Sequence, residues 1–285
     1  MINKITDNYY LIQEHHELLI VAREYVDSIS KNSIFVNIDA HSDMLNFVFR
    51  SKNEINYLKL SNNDINNFVY DTPTIGNFFT LLLRNSGANY IWINRLEKSF
   101  YSEFSIQPNF LPDGKMCLIV NKEIPTAKKQ FFISCKLEDT IDLFLSNADF
   151  LMLSIDLDFF ATDNYQGGKY KIGLSNNEYD SYIRNPLHPL RFRFGGLADI
   201  IFEDGIYYLY CSEYPHAEDE CCFKDNIISR LESFYQWYNK YHMYFNCVVI
   251  CESAISGFTS SKYYSYVKQK VLDIVSSYNE VSHES

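Results

Sequence analysis

Eight short apolar runs separated by stretches of helical spacing constrain this chain more than anything else in its sequence. They fall at 9–13 (YYLIQ), 33–39 (SIFVNID), 90–95 (YIWINR), 115–121 (KMCLIVN), 131–135 (FFISC), 150–158 (FLMLSIDLD), 206–212 (IYYLYCS) and 245–251 (FNCVVIC). Several lack the polar–apolar alternation of a half-exposed strand, as strands buried on both faces do. Helix-like spacing occupies 17–30, 74–86, 138–147, 217–241 and 260–278. Strands alternating with helices predict an α/β protein with a mostly parallel central sheet of about eight strands. No Pro/Gly/Ser-rich linker divides the chain, so residues 1–285 are expected to form a single domain. The segments 159–174 and 184–196 carry turn chemistry and are expected to cover a face of the sheet.

Composition narrows the class of partner. Of the 285 residues 47% are hydrophobic and 16% aromatic, enough for a large core. The formal net charge of −11 argues against a nucleic-acid backbone or an anionic membrane surface as partner and favours a cationic ligand. Seven cysteines include the adjacent Cys221 and Cys222 but no Cys-x-x-Cys. Neither a zinc knuckle nor a disulfide framework is suggested, so reduced thiols are expected. The opening MINKITDNYY lacks the apolar core of a signal peptide, and no run of about 18 apolar residues exists to span a bilayer. A soluble, cytoplasmic protein is the expectation.

Ligands of open α/β sheets bind beyond the carboxyl ends of the strands, and three acid or histidine clusters fall at such ends. Glu14-His15-His16-Glu17 follows the first run, Asp39-Ala-His41-Ser-Asp43 the second, and Asp156-Leu-Asp158 the sixth. Two carboxylates two residues apart on a buried strand repel each other and lose hydration, so they need a cation or a proton between them. Oxygen and imidazole donors without thiolate suit manganese better than a closed zinc site. Alone, Asp-x-His-x-Asp is often a capped loop and Asp-x-Asp is frequent. Their joint placement at the ends of apolar strands is what points to metal.

DAHSD followed later by SIDLD resembles the signatures of the manganese ureohydrolase superfamily of arginase and agmatinase. The wider layout, IQEHHELL, DAHSD and then TIGNFFTLLLRNSGANYIWINR, is more similar to a divergent arginase-like branch that includes peptide arginases of ribosomal peptide maturation. That resemblance implies a three-layer α/β/α fold, two Mn2+ ions, and hydrolysis of a guanidino group to urea and an amine. By position it implies that Asp39 and Asp156 bridge the ions, that His41 and Asp158 complete one shell, and that Asp43 and His15 or His16 complete the other. His16 is favoured, because an acid, one intervening residue and a histidine is the branch's pattern. Glu252, closing CVVICE, stands where ureohydrolases place the carboxylate that grips the substrate's guanidinium. Asp43 and Glu252 are therefore the expected catalytic residues, Asp43 as the carrier of the proton to the leaving amine.

Some positions depart from the superfamily. Ala161-Thr162 stands in place of Asp-Pro, the glycine pair before the first ligand histidine is missing, and residues 44–80 contain no histidine to shuttle a proton. His188 or His216 would have to substitute. Free-arginine enzymes carry an Asn two positions after the final Asp of the first motif; Leu45 is there, with Asn46 one residue late. An apolar rim of that kind favours arginine within a precursor peptide, converted to ornithine, over free arginine, and agmatine is the alternative small substrate. Arginase relatives are often oligomers, so the resemblance leaves a homo-oligomer open.

Other classes fit less well. A haloacid-dehalogenase-like phosphatase opens with its Asp-x-Asp and follows it with Gly-Thr, whereas DLDFF lies past the middle here. A metallophosphoesterase needs a later Gly-Asn-His-Glu-like motif, which GNFF at 76–79 does not supply. A metal-binding regulator that kept the fold without turnover is the non-enzymatic alternative.

Overall fold

The computed structural model describes residues 2–50, 56–74, 76–95, 99–121, 129–162, 171–194, 199–210 and 224–277. The chain begins with β1 (Asn3–Thr6) and β2 (Tyr9–Ile12), then α1 (Leu18–Glu24), β3 (Ile34–Ile38), the two-residue β4 (Phe47–Val48), α2 (Asn62–Asp71), α3 (Phe78–Ser86) and β5 (Asn89–Ile93). Three strands follow, β6 (Phe100–Phe110), β7 (Met116–Asn121) and β8 (Gln130–Cys135), and then α4 (Asp142–Leu145) and β9 (Leu151–Asp156). After them come β10 (Lys171–Leu174), α5 (Asn176–Arg184), α6 (Pro189–Phe194), β11 (Asp199–Glu203), β12 (Ile206–Tyr210), α7 (Lys224–Tyr241), β13 (Cys247–Cys251) and α8 (Tyr264–Ser276).

Ten strands form one sheet in the order β1-β2-β13-β9-β3-β5-β8-β6-β7-β4. The six from β2 to β8 are parallel; β1 on one side and β6, β7 and β4 on the other are antiparallel. All eight apolar runs are strands, yet the sheet departs from the expected eight in two ways. The run at 206–212 contributes β12 to a separate three-stranded sheet with β10 and β11, while β1, β4 and β6 join the large sheet. β11 and β12 are joined by Asp204 and Gly205 at φ 50° and 80°, a two-residue hairpin whose twist needs positive φ at both positions. Residues 171–174 and 189–194, expected as face-covering loops, are β10 and α6.

Helices cover both faces of the large sheet because the parallel strands are apolar on both. Phe35, Tyr90, Trp92, Met152 and Val249 pack with Leu18, Leu19, Phe78, Phe79 and Leu82 on one side. Val36, Ile91, Leu153, Ile155, Val248 and Ile250 meet Leu145, Leu231, Phe234, Trp237, Tyr238 and Val271 on the other. Among the described residues no helix is long and apolar enough to cross a membrane.

The topology selects one place on this sheet. After β3 the chain builds outward through β5 to β8, and after β9 it builds the opposite way, to β13. The crevice between the carboxyl ends of β3 and β9 is therefore a topological switch point, where neighbouring loops diverge and leave room for a ligand. The β3/β9 register sets Ile38 beside Ile155, so Asp39 and Asp156 emerge on adjacent strands at the same height.

Leu153, fully buried in β9 between β3 and β13, tests this central placement. Leu153→Ala should lower unfolding free energy by about 3 kcal/mol, read by urea denaturation. A loss below about 1 kcal/mol would be that of a peripheral strand.

Candidate metal centre

Four strand ends converge on one polar cluster. Asp39, Asp43, Asp156 and Asp158 are all buried, and His15 is 2% exposed. His15 Nδ1 lies 3.0 Å from Asp39 Oδ2, 2.9 Å from Asp43 Oδ2 and 3.2 Å from Asp156 Oδ2, yet makes no well-formed hydrogen bond to any of them. One ring nitrogen carries either a single proton or a single lone pair, so it cannot satisfy three carboxylate oxygens. Its other nitrogen, Nε2, is 2.7 Å from Ser154 Oγ. That is the outer contact a metal-bound imidazole makes to fix its orientation. A second set stands beside the first. His41 Nδ1 lies 3.0 Å from Asp158 Oδ2 and 3.7 Å from Asp39 Oδ1.

Asp39 thus offers one oxygen to each histidine. The donor atoms of His15, Asp39 and Asp43 lie within 4.8 Å of one another, as do those of Asp39, His41 and Asp158. Either group could hold a metal ion, and carboxylate oxygens with imidazoles are donors that hard or borderline divalent cations accept. Asp156 turns Oδ2 toward His15, while its Oδ1 accepts from the Asp158 backbone N–H at 3.1 Å.

The electrostatics follow from crowding these acids together. Burial raises the Asp43 carboxyl well above the ordinary range, and the charge on Asp39 raises it further. Asp158 is pushed up to about 7 by burial, then by Asp156 and Asp39. Burial would also raise Asp39, but the adjoining His15 and His41 imidazoles hold it well below the usual carboxylate range. Burial opposes the charged form of both imidazoles, and the surrounding carboxylates overcome it and raise them. A divalent cation would relieve the same repulsion without protons.

Neighbouring groups hold the donors in place. Trp92 Nε1 donates to the Asp39 carbonyl at 3.0 Å, Tyr90 Oη to the Ser42 carbonyl at 2.7 Å, and Asn37 Nδ2 to Asp39 Oδ2 at 3.1 Å. Ser253 Oγ donates to Asp156 Oδ2 at 2.6 Å. Asp43 and Ser253 both have left-handed backbones, φ 52° and 43°. Such strain in non-glycine residues gathers at functional sites. His15 sits on a 3-10 turn, His15–Glu17, whose start is held by Glu17 Oε2 accepting from the Gln13 and Glu14 N–H groups at 2.8 and 3.3 Å.

Two expected positions are corrected by these placements. His16 faces away from the cluster, with its ring edge-on to Tyr70 at 5.6 Å, and His15 takes the place assigned to it. Helical phase explains the exchange. His15 shares a face with the buried Leu18, Leu19 and Ala22, whereas His16 shares one with Ile20 and Arg23. Glu252 does not reach the cluster either. Its carboxylate accepts from Tyr264 Oη and pairs with Lys268 Nζ at 2.8 Å. His188 accepts from the Leu190 N–H at 3.3 Å and packs on Tyr182, away from the cluster. His216 lies outside the described residues.

The cluster forms the floor of a cavity of about 250 Å³ whose remaining wall includes Leu45, Thr74, Gly76, Ser253 and Phe258. Asn46 does not join it: its amide donates to the Arg191 carbonyl at 3.1 Å and accepts from the Val120 N–H at 3.0 Å. No family model matches the chain, and no curated protein matches it in sequence.

His15→Ala should therefore lower affinity for a divalent cation at least about 100-fold, while His16→Ala leaves it unchanged. Metal analysis after dialysis, on variants with native circular dichroism, separates the two. The reverse pattern would return the ligand to His16.

Proposed function

We propose that this chain hydrolyses the guanidino group of an arginine within a peptide, giving ornithine and urea, at two Mn2+ ions held by His15, Asp39, His41, Asp43, Asp156 and Asp158. The observation that carries the reading is Asp39, shared between two candidate cation positions on the floor of a cavity large enough for one long side chain. The mostly parallel sheet with helices on both faces accords with the arginase-like layout that the two aspartate motifs suggest.

When bound, such a pair of ions supplies an acidified water and Lewis-acid polarisation of the guanidinium. The protein's own groups do the rest. Asp43 lines the cavity and takes a proton from the attacking water, returning it to the departing side-chain nitrogen as the C–N bond breaks. The oxygen of that water ends in urea, and the peptide keeps the amine.

The guanidinium also needs an anion beyond the ions' own ligands. Glu252 is committed to Lys268, so we assign this role to Glu14. Its Oε1 accepts from the Ser256 N–H at 2.8 Å, in the loop whose Ser253 lines the cavity, and its Oε2 is buried with no hydrogen-bond partner among the described residues; the carboxylate stands behind the cavity wall and would have to turn inward to meet a guanidinium.

The rim supports a peptide over free arginine. Leu45, Gly76 and Phe258 offer no charge to an α-carboxylate, and the Asn46 amide is occupied elsewhere. The net charge of −11 would attract a basic precursor peptide. Agmatine, which lacks the carboxylate, fits the same apolar rim and is the second reading.

Incubation with manganese should release urea from an arginyl peptide, with a mass loss of about 42 Da per converted arginine, as guanidine-to-amine hydrolysis requires. Free arginine or agmatine turning over at least as efficiently as every arginyl peptide tried would overturn the peptide assignment.

A pair of substitutions divides the two glutamates. Glu14→Gln should lower kcat/KM by about 100-fold with metal content retained. Glu252→Gln should leave turnover near wild type and lower stability by about 1 kcal/mol, through its lost bonds to Lys268 and Tyr264. Equal activity losses in both variants would contradict the assignment.

A further inference from the structure

Cys251 ends β13 directly beside Asp156 in the β13/β9 register, with both side chains on the same face of the sheet as His15. It is fully buried, and its Sγ lies 3.2 Å from Ser253 Oγ, which in turn donates to Asp156 Oδ2. A ring nitrogen of His15, a carboxylate oxygen of Asp156 and the Cys251 sulfur lie within 4.8 Å of one another. His15 Nδ1, buried and without a well-formed hydrogen bond, is turned into this cluster.

We propose that His15, Asp156 and Cys251 form a second cation position, overlapping the first, that selects thiophilic divalent ions such as zinc or cadmium. The donor sets differ in softness. His15 with Asp39 and Asp43 offers nitrogen and oxygen only, which suits a hard ion, whereas a set in which sulfur replaces one of the two oxygens favours an ion that forms strong bonds to thiolate. Around a tetrahedral ion with metal–sulfur bonds of about 2.3 Å and metal–nitrogen bonds of about 2.0 Å, donors stand about 3.5 Å apart. The three donors here stand at most 4.8 Å apart, so closing to that spacing needs no more than about 1.3 Å, within reach of rotamer adjustment at Cys251 and Asp156. Coordination turns the thiol into a thiolate, and its proton passes to the buffer.

His15 belongs to both donor sets, so the two occupancies exclude each other. A thiophilic ion at this position removes His15 from the Asp39–Asp43 set and displaces the harder ion there. The structure thereby carries a built-in competition between hard and zinc-like cations. This rests on the cluster being a cation site and not on guanidine hydrolysis.

Cadmium is the probe, because its thiolate complexes have a ligand-to-metal charge-transfer band in the ultraviolet that manganese complexes lack. Titrating the full-length protein with Cd2+ should produce that band, and Cys251→Ala and His15→Ala should each lose the tight-binding part of it. Cys251→Ser, a closer fit in volume, keeps the test valid if the alanine variant fails to fold. Excess Mn2+ should weaken the band in the wild type. A band unchanged by Cys251→Ala and Cys251→Ser would overturn the proposal, and so would one indifferent to manganese. A cadmium band together with no urea release by the manganese-loaded, cadmium-free protein would leave this site standing and remove the proposed hydrolysis; urea release by that protein without a Cys251-dependent cadmium band would do the opposite.

Discussion

Three carboxylate oxygens crowd one imidazole nitrogen in this protein, and much of what surrounds them follows from that contact. Burying an unpaired carboxylate carries a penalty of several kcal/mol even after relaxation, and here four lie together with two histidines. Local hydrogen bonds offset part of it: main-chain N–H groups of Ala40, His41 and Asp158 and side chains of Asn37 and Ser253 all donate into the cluster. They also aim the acids, leaving the inner oxygens of Asp39, Asp43 and Asp156 pointed at one place. The arrangement could receive positive charge, and a cation bound there would couple to folding stability.

The sheet explains why such a cluster can exist at all. In-register parallel strands bring the ends of β2, β13, β9 and β3 to one level, so residues about 240 positions apart in the chain, such as Cys251 and Ile12, stand side by side. Ahead of Asp156 at the end of β9, their strand bodies carry no charged residue, and Asn37 and Ser154 are the polar exceptions, so charge is confined to the rim. Rim loops must then turn sharply, and two do so at non-glycine residues with positive φ, Asp43 and Ser253. At Asp43 the turn allows two acids and a histidine within five residues to contribute to adjoining donor sets. At Ser253 it places a hydroxyl between Asp156 and Cys251.

Most of the fold and part of the site can be read from the sequence, and the gaps have physical causes. Continuous apolar runs mark the buried parallel strands well. They miss β6, where half-buried and exposed residues alternate at both ends and Pro108 argues against a strand, although at this antiparallel position it is tolerated opposite Leu118. α2 and α5 are too polar for periodicity to reveal, but each starts with a readable cap, Ser61 followed by Asp64 and Ser175 followed by Glu178. The acid motifs locate Asp39, His41, Asp43, Asp156 and Asp158 because a charge at the end of an apolar strand needs a reason. Ser154, Tyr90 and Trp92 carry no such mark; their roles depend on contacts across strands that no local pattern encodes.

The two misplaced residues show where motif position yields to geometry. His15 and His16 are equivalent to a spacing rule, and only the helical phase that follows them decides which one turns inward. Glu252 fails for a related reason. Side chains alternate across a strand, and in β13 Cys247, Val249 and Cys251 face one helical layer while Val248 and Ile250 face the other. Continuing that alternation carries Glu252 to the face of α8, where Lys268 and Tyr264 receive it, and keeps Cys251 on the face of His15 and Asp156. The strand that withholds a carboxylate from the cluster supplies a thiol instead. That single step of the pleat separates a purely oxygen-and-nitrogen donor set from one with a soft donor at its edge, and it would make the two candidate cation positions chemically unequal.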